Sequence, residues 1–441
     1  MKFVKIFCLF LLCFPLQSMA GDLPLTDKQI ESLRSLLTHN KFLSFYTSSK
    51  YEQAIQFPDM DLIDKSLKNP SLPEDKKNLL KMIWYRSRGM FEKSNSQIPD
   101  CFDVKPDNPI RVTAMLCSLI KKGNYNLLGD YAGVFRIQSE MESRWVKPME
   151  DLTKVKSIKF AQAEDFEVLK QAAPARISLH LSGPHQIPWS NPESIGERGP
   201  HLNAIMDGAT VDFLFDSGSS KNWMESPGKP SQVFARSHNI SDALGRHTEV
   251  DYIQRSNLWV GGLSVKNPHF ATSGRSGNIL GWTYFRNSGN FRISENGITL
   301  NAERPQNSEV SFWSSTMAGS EAYIQIPVTD GKTARPAIFD TGAGIAGGTD
   351  ILIIKPNFTP DELAKSHNLP VFTYSSTKVM PVLSMYDDLK VGDLPPRHMK
   401  ITVIKGGAGQ MKIILTARIL HYASLWVDGS NGRIALMGNI K

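Results

Sequence analysis

Twice in its 441 residues the chain runs an apolar strand into an aspartate, a hydroxyl residue and a glycine. The first instance is Val211-Asp212-Phe213-Leu214-Phe215-Asp216-Ser217-Gly218 and the second is Pro336-Ala337-Ile338-Phe339-Asp340-Thr341-Gly342. A turn dipeptide precedes each, Asp207-Gly208 and Asp330-Gly331. Further on, Ile279-Leu280-Gly281 with Asn296-Gly297 is echoed by Ile414-Leu415-Thr416 with Asn431-Gly432. A loose internal repeat of this kind predicts two lobes of similar plan, at residues 174–305 and 306–441. Short β-type segments with Gly, Pro and Asn between them make this half of the chain mainly β.

An aspartate at the end of a buried strand loses hydration, and the glycine that follows permits a tight loop that brings backbone amides round to it. Two such loops on related lobes can meet so that the carboxylates share a water and a proton. Like charges that close cannot both ionise, so one member serves as base and the other as acid. Such a pair can activate water against a peptide carbonyl. The hydroxyls of Ser217 and Thr341 are expected to brace the opposite loop, with Gly218, Gly342 and Ser219 supporting the turn.

The stretch VDFLFDSGSSKNWM, which includes Trp223, resembles the first active-site segment of pepsin-like aspartic proteases. LWVGGLSVKNPHFATS followed by NILGW resembles the region after the flap, and PAIFDTGAGIAGGT resembles the second active-site segment. The resemblance spans roughly residues 175–441. It implies a bilobal fold of double-ψ β-barrel lobes, a dyad of Asp216 and Asp340, and an inter-lobe cleft that takes a peptide or protein substrate without metal or cofactor. Three departures stand out. Thr416 replaces the glycine of the apolar-apolar-Gly element. No Tyr-Gly flap tip occurs between Ser241 and Tyr252, where Gly245, Arg246 and His247 offer the best turn. The lobes are shorter than in pepsin and lack its disulfides, nearer the retropepsin plan. Ser219 can donate to ionised Asp216 whereas Ala343, at the matching place after Asp340, cannot, so the expected activity optimum is less acidic than that of gastric pepsins.

The first 20 residues read as a cleavable signal: Lys2 and Lys5 precede an apolar run, and Ser18-Met19-Ala20 supplies the small residues of a cleavage site. The run is too short for a stable membrane span, and the product is expected to be periplasmic or secreted. Removal takes Cys8 and Cys13 with it, leaving Cys101 and Cys117 to pair in an oxidising compartment, or to stand as two buried thiols. Residues 21–170 have helical texture, with Ile30, Leu33, Leu36 and Leu37 on one face and breaks at Asn69-Pro70 and Gly123-Asn124. They suggest an all-α helical-hairpin domain, either a tetratricopeptide-like array or an irregular bundle, that takes a protein partner or, as a third reading, acts as a propeptide.

Fifty basic against 43 acidic residues is too slight and too dispersed an excess to indicate nucleic acid. The histidines are scattered without a metal-binding motif, no Gly-x-Ser-x-Gly elbow surrounds Ser219 or Ser220, and Gly406-Gly407-Ala408-Gly409 lacks the Lys-Ser/Thr of a phosphate cradle. The sequence therefore supports an exported aspartic endopeptidase, with a catalytically silent peptide-binding scaffold of the same fold as the alternative.

Overall fold

The computed structural model describes residues 27, 31, 60–102, 112–157, 172–225, 233–241, 247–272, 277–286, 288–306, 311–312, 314–315, 322–345, 347–373, 376–406 and 411–439. The expected signal at 1–20, the helical face at 30–37, the turn at Gly245-Arg246 and the glycine run at 407–409 lie outside them. The chain forms two compact units, Met1–Pro174 with Ser315–Glu321, and Ala175–Ser314 with Ala322–Lys441.

The first unit is helical among its described residues: α1 Met60–Leu67, α2 Glu74–Ser87, α3 Phe91–Ser96, α4 Val112–Leu127 and α5 Tyr131–Thr153. Helix α2 begins with Glu74 and Asp75 and ends on Arg86, the order that complements the helix dipole. Leu79, Met82 and Ile83 fall on one face, as do Ile137, Met141, Trp145 and Met149 of α5, and these residues share one core with Leu116, Leu119 and Ile120 of α4. The Asp130 side chain caps α5 by accepting from the Gly133 N–H, and Lys154 closes it in the left-handed region.

Helices α2 and α3 form one hairpin and α4 and α5 another, joined by a buried polar network. The Arg86 Nη1 donates to Asn124 Oδ1 at 2.5 Å, and Asn124 Nδ2 donates to Ser94 Oγ at 2.9 Å and Asn95 Oδ1 at 2.8 Å. Ser94 in turn donates to the Met82 carbonyl at 2.8 Å. A buried cation is tolerated only when its donors are occupied, and here they tie α2, α3 and α4 together.

Cys101 and Cys117 are joined in a disulfide that closes 16 residues of chain. Both sulfurs sit in the helical core beside Phe102 and Trp145. Replacing both cysteines with serine is expected to destabilise this unit by about 3 kcal/mol, the chain-entropy value for a loop of that length. Denaturant titration followed by helical circular dichroism checks this; an unchanged midpoint would show that the bridge contributes nothing. Among the described residues, no helix is long and apolar enough to cross a membrane.

The second unit is mostly β. Its first half supplies β1 Arg176–Leu179, β2 His185–Pro188, β3 His201–Met206, β4 Ala209–Asp216, β5 Val233–Ser241, β6 His247–Gln254, β7 Asn257–Val260, β8 Leu263–Lys266, β9 His269–Thr272, β10 Ile279–Gly281, β11 Asn290–Ser294 and β12 Gly297–Leu300. Its second half supplies β13 Ser311–Phe312, β14 Ser314–Ser315, β15 Ala322–Thr329, β16 Ala334–Phe339, β17 Ile351–Lys355, β18 His367–Thr373, β19 Ser376–Val391, β20 Arg397–Lys405, β21 Lys412–Leu415, β22 Ala423–Asp428 and β23 Arg433–Gly438.

One sheet, β1-β8-β7-β3-β4-β10, belongs to the first half, with the small sheet β5-β6-β9 beside it. The second half builds the sheet β14-β15-β16-β21-β17-β20-β19-β18, which curls until β15 pairs again with β19. A third sheet, β13-β23-β22-β11-β12-β2, draws strands from both halves.

The register of this shared sheet reveals a local two-fold relation. A shift of 135 residues carries Ile279 onto Ile414 and Gly297 onto Gly432. Where β11 meets β22, Phe291 faces Val427 and Arg292 faces Trp426. The same shift turns each of those pairs into the other. The equivalence extends outward: Trp223 bridges Ile279 and Ala271, while Leu352 pairs with Ile414 and Thr402. Tyr252 faces Ala271 as Ser384 faces Thr402, so the β5–β6 and β18–β19 hairpins are counterparts.

Candidate functional site

Phe213 and Phe215 are fully buried on β4, and Phe339 on β16, so each strand is anchored up to the residue before its aspartate. A parallel neighbour lies beside each end: Phe215 pairs with Leu280 of β10, and Phe339 with Leu415 of β21. Where β4 and β16 end, Asp216 and Asp340 emerge half-buried into two turns that face one another.

The turns are cross-linked by a reciprocal set of hydrogen bonds. The Ser217 N–H donates to Thr341 Oγ1 at 3.0 Å, and the Thr341 N–H donates to Ser217 Oγ at 3.0 Å. Ser217 Oγ donates onward to the Phe339 carbonyl at 2.8 Å, and Thr341 Oγ1 to the Phe215 carbonyl at 2.7 Å. Each buried hydroxyl therefore accepts from the opposite turn and donates to the opposite strand, which satisfies both of its roles and fixes the two turns relative to one another.

The glycines let the turns close to this distance. A β-carbon on Gly218 would lie 2.5 Å from Asp340 Oδ1, and one on Gly342 would lie 2.6 Å from Asp216 Oδ2. Each carboxyl thus rests against the bare backbone of the other turn. The Gly218 N–H donates to Asp216 Oδ1 at 2.8 Å, and the Ala343 N–H to Asp340 Oδ1 at 2.9 Å.

Each carboxyl lies against the glycine of the turn that carries the other, and two like charges so placed cannot both ionise freely. Burial pushes Asp216 well above the usual carboxylate range and the Asp340 charge pushes it further, against the N–H groups of Gly218 and Gly342. Burial also raises Asp340, but the bond from Asp216, the N–H groups of Ala343 and Gly342, and the Lys412 ammonium hold it back. Both carboxyls are thus raised, as expected of a pair that holds one proton between them.

The expected donation from Ser219 to Asp216 is not made. Ser219 Oγ is committed to the Lys221 carbonyl at 2.7 Å, so it shapes the turn instead of stabilising the carboxylate. Trp223 is buried with Val250, Ala271 and Ile279, and Tyr252 packs against this group. Lys221 Nζ donates to the Tyr252 hydroxyl at 2.8 Å, tying the first turn to β6. Nothing in the order of residues marks that tie, because Lys221 and Tyr252 meet only through the pairing of β6 with β9.

The two turns are supported differently. In the first, Gly281 lies so close to the returning loop that a β-carbon there would be 2.6 Å from the Ser219 carbonyl oxygen, and its N–H donates to Asn222 Oδ1 at 2.9 Å. In the second, Thr416 occupies the equivalent place. Its hydroxyl donates to the Thr349 carbonyl, and its N–H donates to the Asp350 carbonyl at 3.1 Å.

No protein-family model matches the chain, and no curated protein matches it.

Proposed function

We propose that the β unit is an aspartic endopeptidase of the pepsin/retropepsin type, its two halves being double-ψ barrel lobes with the substrate between them. The observation that carries the reading is the crossed dyad: two carboxyls, each lying on the glycine of the opposite turn, with the turns pinned by the Ser217–Thr341 exchange. The parallel pairs β4–β10 and β16–β21 beneath the turns support the barrel reading.

In this mechanism Asp340 accepts a proton from a water held between the carboxyls as its oxygen attacks the peptide carbonyl carbon, while Asp216 gives its proton to the carbonyl oxygen. The resulting diol collapses as a proton passes to the departing nitrogen. The dyad must carry one proton, so activity is bounded on the acid side by protonation of both carboxyls and on the alkaline side by loss of the proton they share. Burial raises both carboxyls, which moves the pair's titration upward and gives the expectation of an optimum less acidic than that of gastric pepsins a basis independent of Ser219. The helical unit would recruit a protein partner or substrate, and the leading segment would direct export.

Incubating the full chain with a mixed library of unstructured octapeptides, and reading new termini by mass spectrometry across acidic to neutral pH, tests the reading. Cleavage is expected from wild type and not from Asp340→Asn. Peptides retained uncut by both proteins would favour a binding scaffold instead, and cleavage that survives Asp340→Asn would remove the dyad from the chemistry.

A further inference from the structure

Why does the second lobe keep a threonine where the first requires a glycine? Seven residues separate Asp216 from Trp223, but twelve separate Asp340 from the equivalent Leu352. In the short loop the returning chain presses on Gly281, leaving no space for a side chain. The five extra residues of the second loop carry its return through Gly347 and Gly348, both at positive φ, to Thr349. The space left beneath the loop is filled by Thr416, which is buried with Thr349.

Thr416 sits at a junction. Its neighbour Leu415 accepts the Asp340 N–H at 2.9 Å, so β21 holds the aspartate's own backbone. From the same place the Thr416 hydroxyl reaches the Thr349 carbonyl, at the far end of the loop that starts with Asp340. Thr349 Oγ1 then lies 2.9 Å from the Ile351 carbonyl and 3.0 Å from that of Lys400, bonding to β17 and β20. The Arg418 N–H donates to Thr416 Oγ1 at 3.3 Å, and Arg418 Nε meets Asp350 Oδ1 at 3.3 Å. Asp350 Oδ2 is held by the Lys400 N–H at 2.8 Å. The polar groups of Thr349 and Asp350 in the loop's return are thus tied to Thr416, Arg418 and the strands beside them.

We infer that Thr416 is a positioning residue for Asp340: its hydroxyl ties the far end of the longer second-lobe loop to the strand whose Leu415 carbonyl holds the Asp340 backbone, and so does by a hydrogen bond what Gly281 does in the first lobe by close packing. The inference rests on the endopeptidase reading. Its role is exerted on the dyad's geometry, where a displacement well under the length of a bond separates a shared proton from two independent carboxyls.

The test is steady-state kinetics on a peptide cleaved by wild type, comparing full-length Thr416→Val, which keeps the side chain's shape but loses the hydroxyl, with Thr416→Ser, which keeps the hydroxyl. Thr416→Val is expected to lower kcat at least tenfold with KM changed less than twofold, and Thr416→Ser to restore kcat to within about threefold. A general loss of fold would lower the active fraction without that rescue by serine. Wild-type kcat in Thr416→Val overturns the inference. Should the valine variant not fold, Thr416→Ala decides: kcat retained overturns the positioning role, and kcat lost but recovered with serine supports it. Asp340→Asn runs in parallel. Hydrolysis that survives it overturns the endopeptidase reading and this inference with it, whereas hydrolysis abolished by it but untouched by Thr416→Val overturns the inference alone.

Discussion

Asp216→Asn is expected to abolish peptide hydrolysis while making the β unit more stable at neutral pH. Under the proposed mechanism the loss of activity follows from the proton that the wild-type carboxyl would supply. An amide can still donate to Asp340 but cannot release a proton to a substrate, and proton transfer by a placed side chain contributes about a hundred- to ten-thousandfold. A fall in turnover of about a thousandfold or more is therefore anticipated. The gain in stability follows from linkage. Both carboxyls have folded values raised above those of the unfolded chain, Asp216 by burial and then by the Asp340 charge, and Asp340 by burial, which outweighs the groups that lower it. A group raised in this way stabilises the fold fully below its unfolded pKa, and that contribution is lost as pH climbs through the higher folded value. In wild type the dyad therefore weakens the fold from mildly acidic to neutral pH. Asparagine at 216 leaves one carboxyl with no like charge beside it, so most of this slope disappears. Thermal unfolding of both proteins as a function of pH checks the claim. The curves should meet in acid and diverge toward neutral pH with the variant higher, each kcal/mol recovered showing as about 2–4 °C. A variant less stable than wild type at neutral pH would show that the pair is not strained by its charge.

The strands leading to Asp216 and Asp340 were legible in the sequence because their signal is local: an apolar run, an aspartate and a glycine adjacent in the chain. The Ser217 and Thr341 cross-links were legible for the same reason once two copies were seen, since symmetry supplies the partner. The direction of the Ser219 hydroxyl is not legible in the residue order, because it is set by the Lys221 carbonyl that the turn brings within 2.7 Å. The support of the second turn was obscured by loop length. Thr416 looks like a lapse from an apolar-apolar-Gly pattern until the five added residues and their new carbonyl at Thr349 are in view. Among the helices, Arg86 reads as a last-turn surface cation. Its burial against Asn124 and Ser94 depends on the packing of α2, α3 and α4, which residue spacing does not encode.

Gly342→Ala and Gly218→Ala should each remove most activity, for a reason that is purely steric. Neither glycine has a backbone angle in the left-handed region, so alanine could adopt the same conformation without strain. What it lacks is room. Its β-carbon would fall 2.6 Å or less from the carboxyl of the other lobe, well inside van der Waals contact, and that carboxyl is not the free end of a flexible chain. It is fixed by its own backbone N–H bond and by its partner aspartate. Relief must therefore come from separating the turns, which stretches the Ser217–Thr341 exchange, or from turning a carboxyl away, which breaks the shared proton. Overpacking of this kind costs about 1–3 kcal/mol in stability. The effect on chemistry is larger, since either escape leaves the carboxyls titrating independently, and turnover should drop at least a hundredfold. Gly183→Ala is the matched control, because a β-carbon there meets nothing within 4 Å and the backbone is not at positive φ. Kinetics and denaturant midpoints for the three variants separate the two contributions. If Gly342→Ala and Gly218→Ala behave like Gly183→Ala, the turns do not approach one another as described, and the crossed dyad on which the proposed chemistry depends is not formed.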